Sequence, residues 1–184
     1  VVELKLLQEI FPMLFPLPQQ NLENRLKLIA LCPQNTPFIM KLLCLFPVEY
    51  PVKPLITYLK LSTKEEKIAL FFYQAKKLFF ATDTTDYELA KLYANPLAKK
   101  AIAFFAVATS DHTSFHSYHE EKQQALAPFI KRIEENNPVI KAAMLLKLGI
   151  VPGKKLGLLL AKAEQISVNE KIEDPKILLE KLEL

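Results

Sequence analysis

The residues with the most chemical potential lie in Leu148-Gly149-Ile150-Val151-Pro152-Gly153-Lys154-Lys155-Leu156-Gly157, a segment that holds all three glycines of the chain. Gly149 suits the left-handed end of one helix and Pro152 the start of the next, while Gly153 and Gly157 take side chains away from that helix's first turn. Bare N–H groups at a helix start carry partial positive charge, and with ammonium groups beside them they can receive a phosphate. From Pro138 to Ala163 the charged residues are Lys141, Lys147, Lys154, Lys155 and Lys162, with no Asp or Glu. These lysines, with Gly153 and Gly157, form the candidate phosphate contact.

Three further constellations could do chemistry. His112, His116 and His119 are the only histidines, and steps of four and three place them on one helical face, a spacing that can hold zinc or nickel. The flanking Ser114, Ser117, Glu120, Glu121 and Lys122 favour a solvated helix start instead, and Asp111-His112 reverses the His-Asp order of a phosphohydrolase. The serines lack a nucleophile-elbow setting, and the pairs Glu65-Glu66, Glu120-Glu121 and Glu134-Glu135 read as helix-surface charge. No catalytic residue is assigned. Cys32 and Cys44 sit in apolar helical surroundings and read as reduced thiols of a cytoplasmic protein.

The charge balance is modest, +4, but its make-up is unusual: of 24 basic residues only Arg25 and Arg132 are arginine. Arginine forks read base edges, whereas lysine acts as a movable point charge toward phosphate. Such a surface suits recognition of a nucleic-acid backbone rather than of sequence.

The elements that must position these groups are helical. With 51% hydrophobic residues the chain can bury a core, and its apolar period stays near 3.6 with no alternating strand. Helices are expected from Asn21 to Cys32, from a Thr36 cap with Pro37 in first position to Pro47, from a Ser62–Glu65 capping box through Phe79, from Tyr87 to Ala94, and from Asn95-Pro96 to Ala108. A longer helix, Ser114 to Glu135, and two or three shorter ones follow, the last opened by Asp174-Pro175. Phe71, Phe72, Phe79, Phe80, Phe104 and Phe105 read as core; Tyr87 and Tyr93 read as surface groups. The expected fold is an all-α, irregular multi-helix bundle without a sheet, a body over 1–110 and a tail over 111–184. No apolar run reaches the roughly 18 to 20 residues of a membrane span, and Val1 to Phe15 carries Glu3, Lys5 and Glu9 and lacks the ordered basic, apolar and small-residue zones of a secretory signal.

The same residues carry a family resemblance. Asn137-Pro138-Val139-Ile140-Lys141, Leu145 to Ile150, Pro152-Gly153, Leu156-Gly157, Leu159-Leu160 and Ala163 resemble the C-terminal "PPGPxxGxLL" signature of class II tRNA nucleotidyltransferases and bacterial poly(A) polymerases. Ile10-Phe11-Pro12-Met13-Leu14-Phe15-Pro16 is similar to the family's "hxxhFPEL", and Leu59 to Glu66 to its "LRLSNKE" helix start. Lys154 stands where the family often has a second proline, and Ala142 to Met144 replace a polar step.

The resemblance implies a C-terminal piece that holds tRNA or another RNA while a catalytic head and neck, not in this chain, add CCA or poly(A) to the 3′ end. The head would hold Mg²⁺ on paired aspartates after a Gly-Ser loop, yet no glycine precedes Gly149 and Asp83, Asp86, Asp111 and Asp174 are scattered. Val1 in place of an initiator methionine agrees with a cut piece. The implied partners are RNA and the protein's own head and neck, with no membrane and no cofactor in this part. The alternative is a helical protein–protein interaction module with solubilising lysines; a metal-dependent phosphohydrolase on the histidines is more distant.

Overall fold

The computed structural model describes residue 7 and residues 9–14, 18–47, 50–109 and 111–182. Phe15 and Pro16 of the first family-like motif, Ser110 of the expected boundary, and Val1, Glu3 and Lys5 lie outside the described residues. Among the described residues there are eleven α-helices, one short 3-10 turn at Pro12–Leu14, and no strand. The fold is all-α. Among the described residues no helix is long and apolar enough to cross a membrane.

The chain divides into two compact units, 1–80 with 99–117 and 81–98 with 118–184, so it passes between them three times rather than once near residue 110. The first unit contains α1 (Gln19–Leu31), α2 (Phe38–Leu43), α3 (Val52–Tyr58), α4 (Thr63–Phe80), most of α6 (Ala98–Ala108) and the start of α7 (His112–Ala125). Ser62 and Glu65 close the expected capping box on α4: the Ser62 amide donates to Glu65 Oε2 at 2.9 Å and the Glu65 amide to Ser62 Oγ at 3.4 Å. Thr36 does not cap α2. Pro37 takes the N-cap, its carbonyl accepting from Met40 at 3.0 Å, and the Thr36 hydroxyl is buried with no hydrogen-bond partner. α2 and α3 pack on α4.

Leu14, Leu22, Met40, Leu43, Phe46 and Leu55 are fully buried, as are Phe72 and Phe104. Phe72 stacks on Phe105 at 5.0 Å and meets Phe104 edge-on at 5.3 Å. Phe80 departs from the expected core and is 53% exposed, because it ends α4 beyond the buried stripe of Ala69, Phe72 and Ala75. Burial pushes the Cys32 thiol up to about 11, with Cys44 adding to the rise and Lys41 opposing it; Cys44 is raised as well, again chiefly by burial. Both cysteines are free thiols.

The second unit contains α5 (Asp86–Tyr93), the end of α7, α8 (Ala127–Glu134), α9 (Ala142–Lys147), α10 (Lys154–Glu170) and α11 (Pro175–Lys181). Thr85 and Glu88 form a full capping box on α5, and Asp174 Oδ1 accepts from the Lys176 amide at 2.7 Å to cap α11. The long helix expected from Ser114 to Glu135 is two helices. Pro128 lacks the N–H that would reach back one turn, so α7 stops at Ala125 and α8 restarts with the proline in its first turn. α8 and α10 both pack on α5, and the Tyr87 amide donates to Asn169 Oδ1 of α10 at 2.9 Å.

Candidate nucleic-acid interface

α9 ends as its sequence demands. Gly149 has φ +84°, its amide donates to the Leu146 carbonyl at 3.0 Å, and the Ile150 amide reaches the Leu145 carbonyl at 3.1 Å. This is a Schellman closure with glycine in the left-handed position, and Leu145 and Ile150 complete it by packing into one apolar cluster. The same 6→1 bond recurs where Lys60, Asn136 and Lys171 adopt left-handed φ of 49°, 49° and 56°.

Beyond Gly149 the chain turns through Val151 and Pro152 to Gly153, the N-cap of α10, at φ 146° and ψ −163°. Pro152 therefore precedes the cap instead of opening the helix. A hydrogen occupies the Cβ position of Gly153, so no side chain caps α10, and the amides of Lys154, Lys155 and Leu156 form the helix's positive end. The Gly157 amide is different: it donates to the Gly153 carbonyl at 3.2 Å, so Gly157 offers bare backbone and no donor. Beyond the adjoining residues and the local helix backbone, no atom of the described residues lies within 4 Å of where a Cβ would sit at any of the three glycines.

Residues Gly149 to Lys155 line a concavity of about 290 Å³ at this helix start. Lys154 and Lys155 belong to its lining and are exposed. Lys141, the N-cap of α9, Lys147 at its end, and Lys162 on α10 are also exposed, but they lie outside the concavity, as does Gly157. The structure thus gathers Gly153, Lys154 and Lys155 at one place and distributes the other four candidates over the same helix pair. Beneath them Ile140, Leu145, Ala163, Leu178 and Leu182 form a buried core, against which Leu156, Leu159 and Leu160 pack. The exposed side of the segment is apolar as well as cationic: Val151 is 75% and Leu158 72% exposed.

α10 is fixed from behind by a group that composition alone does not reveal. Arg132 of α8 donates through Nε and Nη2 to Glu164 Oε1 at 3.0 and 2.9 Å and through Nη2 to Ser167 Oγ at 2.8 Å; Ser167 Oγ donates to the Ile172 carbonyl at 2.6 Å. Ser167 is fully buried. One of the two arginines is therefore spent on holding α8, α10 and the turn after α10 together, not on a ligand.

The histidines do not act as one face. His119 is buried and its Nδ1 lies 2.7 Å from the Tyr93 hydroxyl, while His112 Nδ1 meets the Ala106 carbonyl and His112 and His116 are exposed. Tyr93 is thus a buried residue and not the expected surface group. Its hydroxyl is raised well above the ordinary tyrosine range by burial, then by Tyr118 and Asp86. The helical step carries His119 to the side of α7 that meets α5, where an imidazole survives because a phenol bonds it. Among the described residues no three His, Cys, Asp or Glu side chains converge as metal ligands, for Mg²⁺ or another ion. Comparison with models of known protein families, with curated proteins and with solved structures returned no match for this chain.

Proposed function

We propose that the chain is an RNA-backbone-binding helical region that holds tRNA or a related RNA at the start of α10. The reading extends to the role the sequence resemblance implies, the C-terminal part of a tRNA nucleotidyltransferase or poly(A) polymerase whose separate head carries Mg²⁺ and adds nucleotides. The observation that carries it is an uncapped helix start, opening on a concavity and flanked by Lys154 and Lys155, in a stretch from Pro138 to Ala163 without an acid. Helix-start amides and lysines together favour an anion, and a polyanion engages the surrounding Lys141, Lys147 and Lys162 by charge alone.

A second reading has its own support. Val151 and Leu158 are exposed beside the lysines, which favours a partner protein with an apolar face. Salt separates the two. Titrating unmodified tRNA transcript into the chain between 50 and 300 mM KCl should give a log–log slope of several units, about 0.9 per duplex phosphate contact. Absence of tRNA binding, or binding indifferent to salt, contradicts the RNA reading and advances the protein partner.

A further inference from the structure

The solvent side of α10 sets charge and apolar surface in a fixed order. Within this one unbroken helix Leu158 follows Lys154 by four residues and Lys155 by three, and Lys162 follows Leu158 by four, steps that place all four on one helical face. All four are exposed. Lys154, Lys155 and Lys162 make no ion pair among the described residues, whereas Lys122, Lys131 and Lys181 of the same unit each meet a carboxylate. Leu146, Leu148 and Val151 add exposed apolar surface in the segment that leads into α10.

Among the described residues Leu158 is the one large apolar side chain of α10 that is exposed, because Leu156, Leu159, Leu160 and Ala163 pack on the buried core. A helix that lies in a bilayer surface turns a whole apolar face outward, which α10 does not have to give. A phosphodiester backbone answers the lysines and offers Leu158 little apolar area. A protein helix of opposite charge answers both. The cations at 154 or 155 and at 162 are seven to eight residues apart, about 11 Å along the axis, and two carboxylates seven apart on a partner helix span the same length with room for an apolar side chain between them. We propose that this face of α10 docks an acidic amphipathic helix of another protein, its carboxylates on Lys154 or Lys155 and on Lys162 and its apolar side chain on Leu158. The lysines are shared with the RNA reading, so the two ligands exclude each other, but the docking does not depend on RNA binding there.

The probe is a fluorescein-labelled, alanine-rich helical peptide with two glutamates seven residues apart and a leucine four residues after the first, read by anisotropy against the full chain at low salt. Serine in place of the leucine should weaken binding by about tenfold, the scale of one leucine taken out of water. Glutamine in place of both glutamates should weaken it by about fivefold, the scale of two exposed ion pairs. Leu158→Gln, at an exposed position where the melt should not move, should erase the advantage of leucine over serine. Lys162→Ala should weaken the glutamate peptide and leave the glutamine peptide as it was. Those two losses support the proposal whether or not tRNA binds, and Leu158→Gln should leave any tRNA affinity of the parent unchanged, so the two readings fail separately. No detectable binding of the leucine peptide, equal affinity for the leucine and serine peptides, an advantage of leucine that survives Leu158→Gln, or release of the bound peptide by vesicles of phosphatidylcholine and phosphatidylglycerol that capture the chain would overturn the proposal.

Discussion

Polar side chains at helix starts divide into those that work for the fold and one that works against it. Thr85 accepts from the Glu88 amide at 3.3 Å and its own amide donates to Glu88 Oε2 at 2.9 Å, so Thr85→Ala should cost about 1 kcal/mol in urea unfolding. Thr36, buried without a hydrogen-bond partner, has the opposite sign: Thr36→Val keeps the shape, removes the orphaned hydroxyl and should stabilise by about 1 kcal/mol. A loss of stability on Thr36→Val would show that the hydroxyl is satisfied. Ser62, through its hydroxyl and then its amide, holds the Glu65 carboxyl below the ordinary range. A carboxyl lowered in the folded state contributes stability above its unfolded value and loses it as pH falls through the folded value. Glu65→Gln should therefore flatten the acid limb of a helix-content titration; an unchanged limb would contradict the cap's role. The Ser62 and Asp174 caps were legible in sequence because a cap and its partner lie two or three residues apart. Thr36 was not, since the choice between it and Pro37 depends on what α2 packs against.

At the scale of the element, the three glycines divide into two that alanine should destabilise and one that it should stabilise. Gly149 at φ +84° and Gly153 at φ +146° hold conformations that side chains disfavour, so alanine at either should cost about 1–3 kcal/mol through crowding of Cβ against its own backbone, not against neighbouring elements. Gly157 lies inside α10 with open space around it, and Gly157→Ala should stabilise by about 0.5–1 kcal/mol. Thermal melts of the three variants check the order, and destabilisation by Gly157→Ala would mean that its backbone is packed closely after all. The Arg132–Glu164 pair is nearly buried, with side chains 12% and 14% exposed. Arg132→Met leaves Glu164 without its partner and should cost about 3 kcal/mol or more; a cost under about 1 kcal/mol would show the pair to be incidental. Helix type and the turn at Gly149 could be read from periodicity and glycine placement. The Arg132 network could not, because its partners lie 32 and 35 residues away, and the split between α7 and α8 was missed by weighing apolar period above Pro128.

For the molecule as a whole, the all-α class follows from an apolar period near 3.6 along the chain, but the division into units does not. Residues 81–98 belong with 118–184, and 99–117 with the first eighty, a pairing set by contacts between distant segments that no local pattern announces. The lysine-rich stretch that singled out the candidate site survives as an exposed surface of the second unit, with Lys154 and Lys155 lining a concavity in it. Given tRNA that lacks its 3′ end, Mg²⁺ and labelled ATP or CTP, the chain alone should incorporate nothing, because the proposed role assigns chemistry to a separate head; incorporation above a blank would refute that assignment. The most direct measurement is tRNA binding against salt for the parent and for Lys154→Ala/Lys155→Ala. The account predicts unchanged melting, since exposed substitutions shift stability by about half a kcal/mol at most, with a log–log salt slope flatter by roughly one to two units. The same affinity and the same slope in the double variant would contradict it, leaving the segment a helix–helix turn and the exposed Val151 and Leu158 the better guide to a partner.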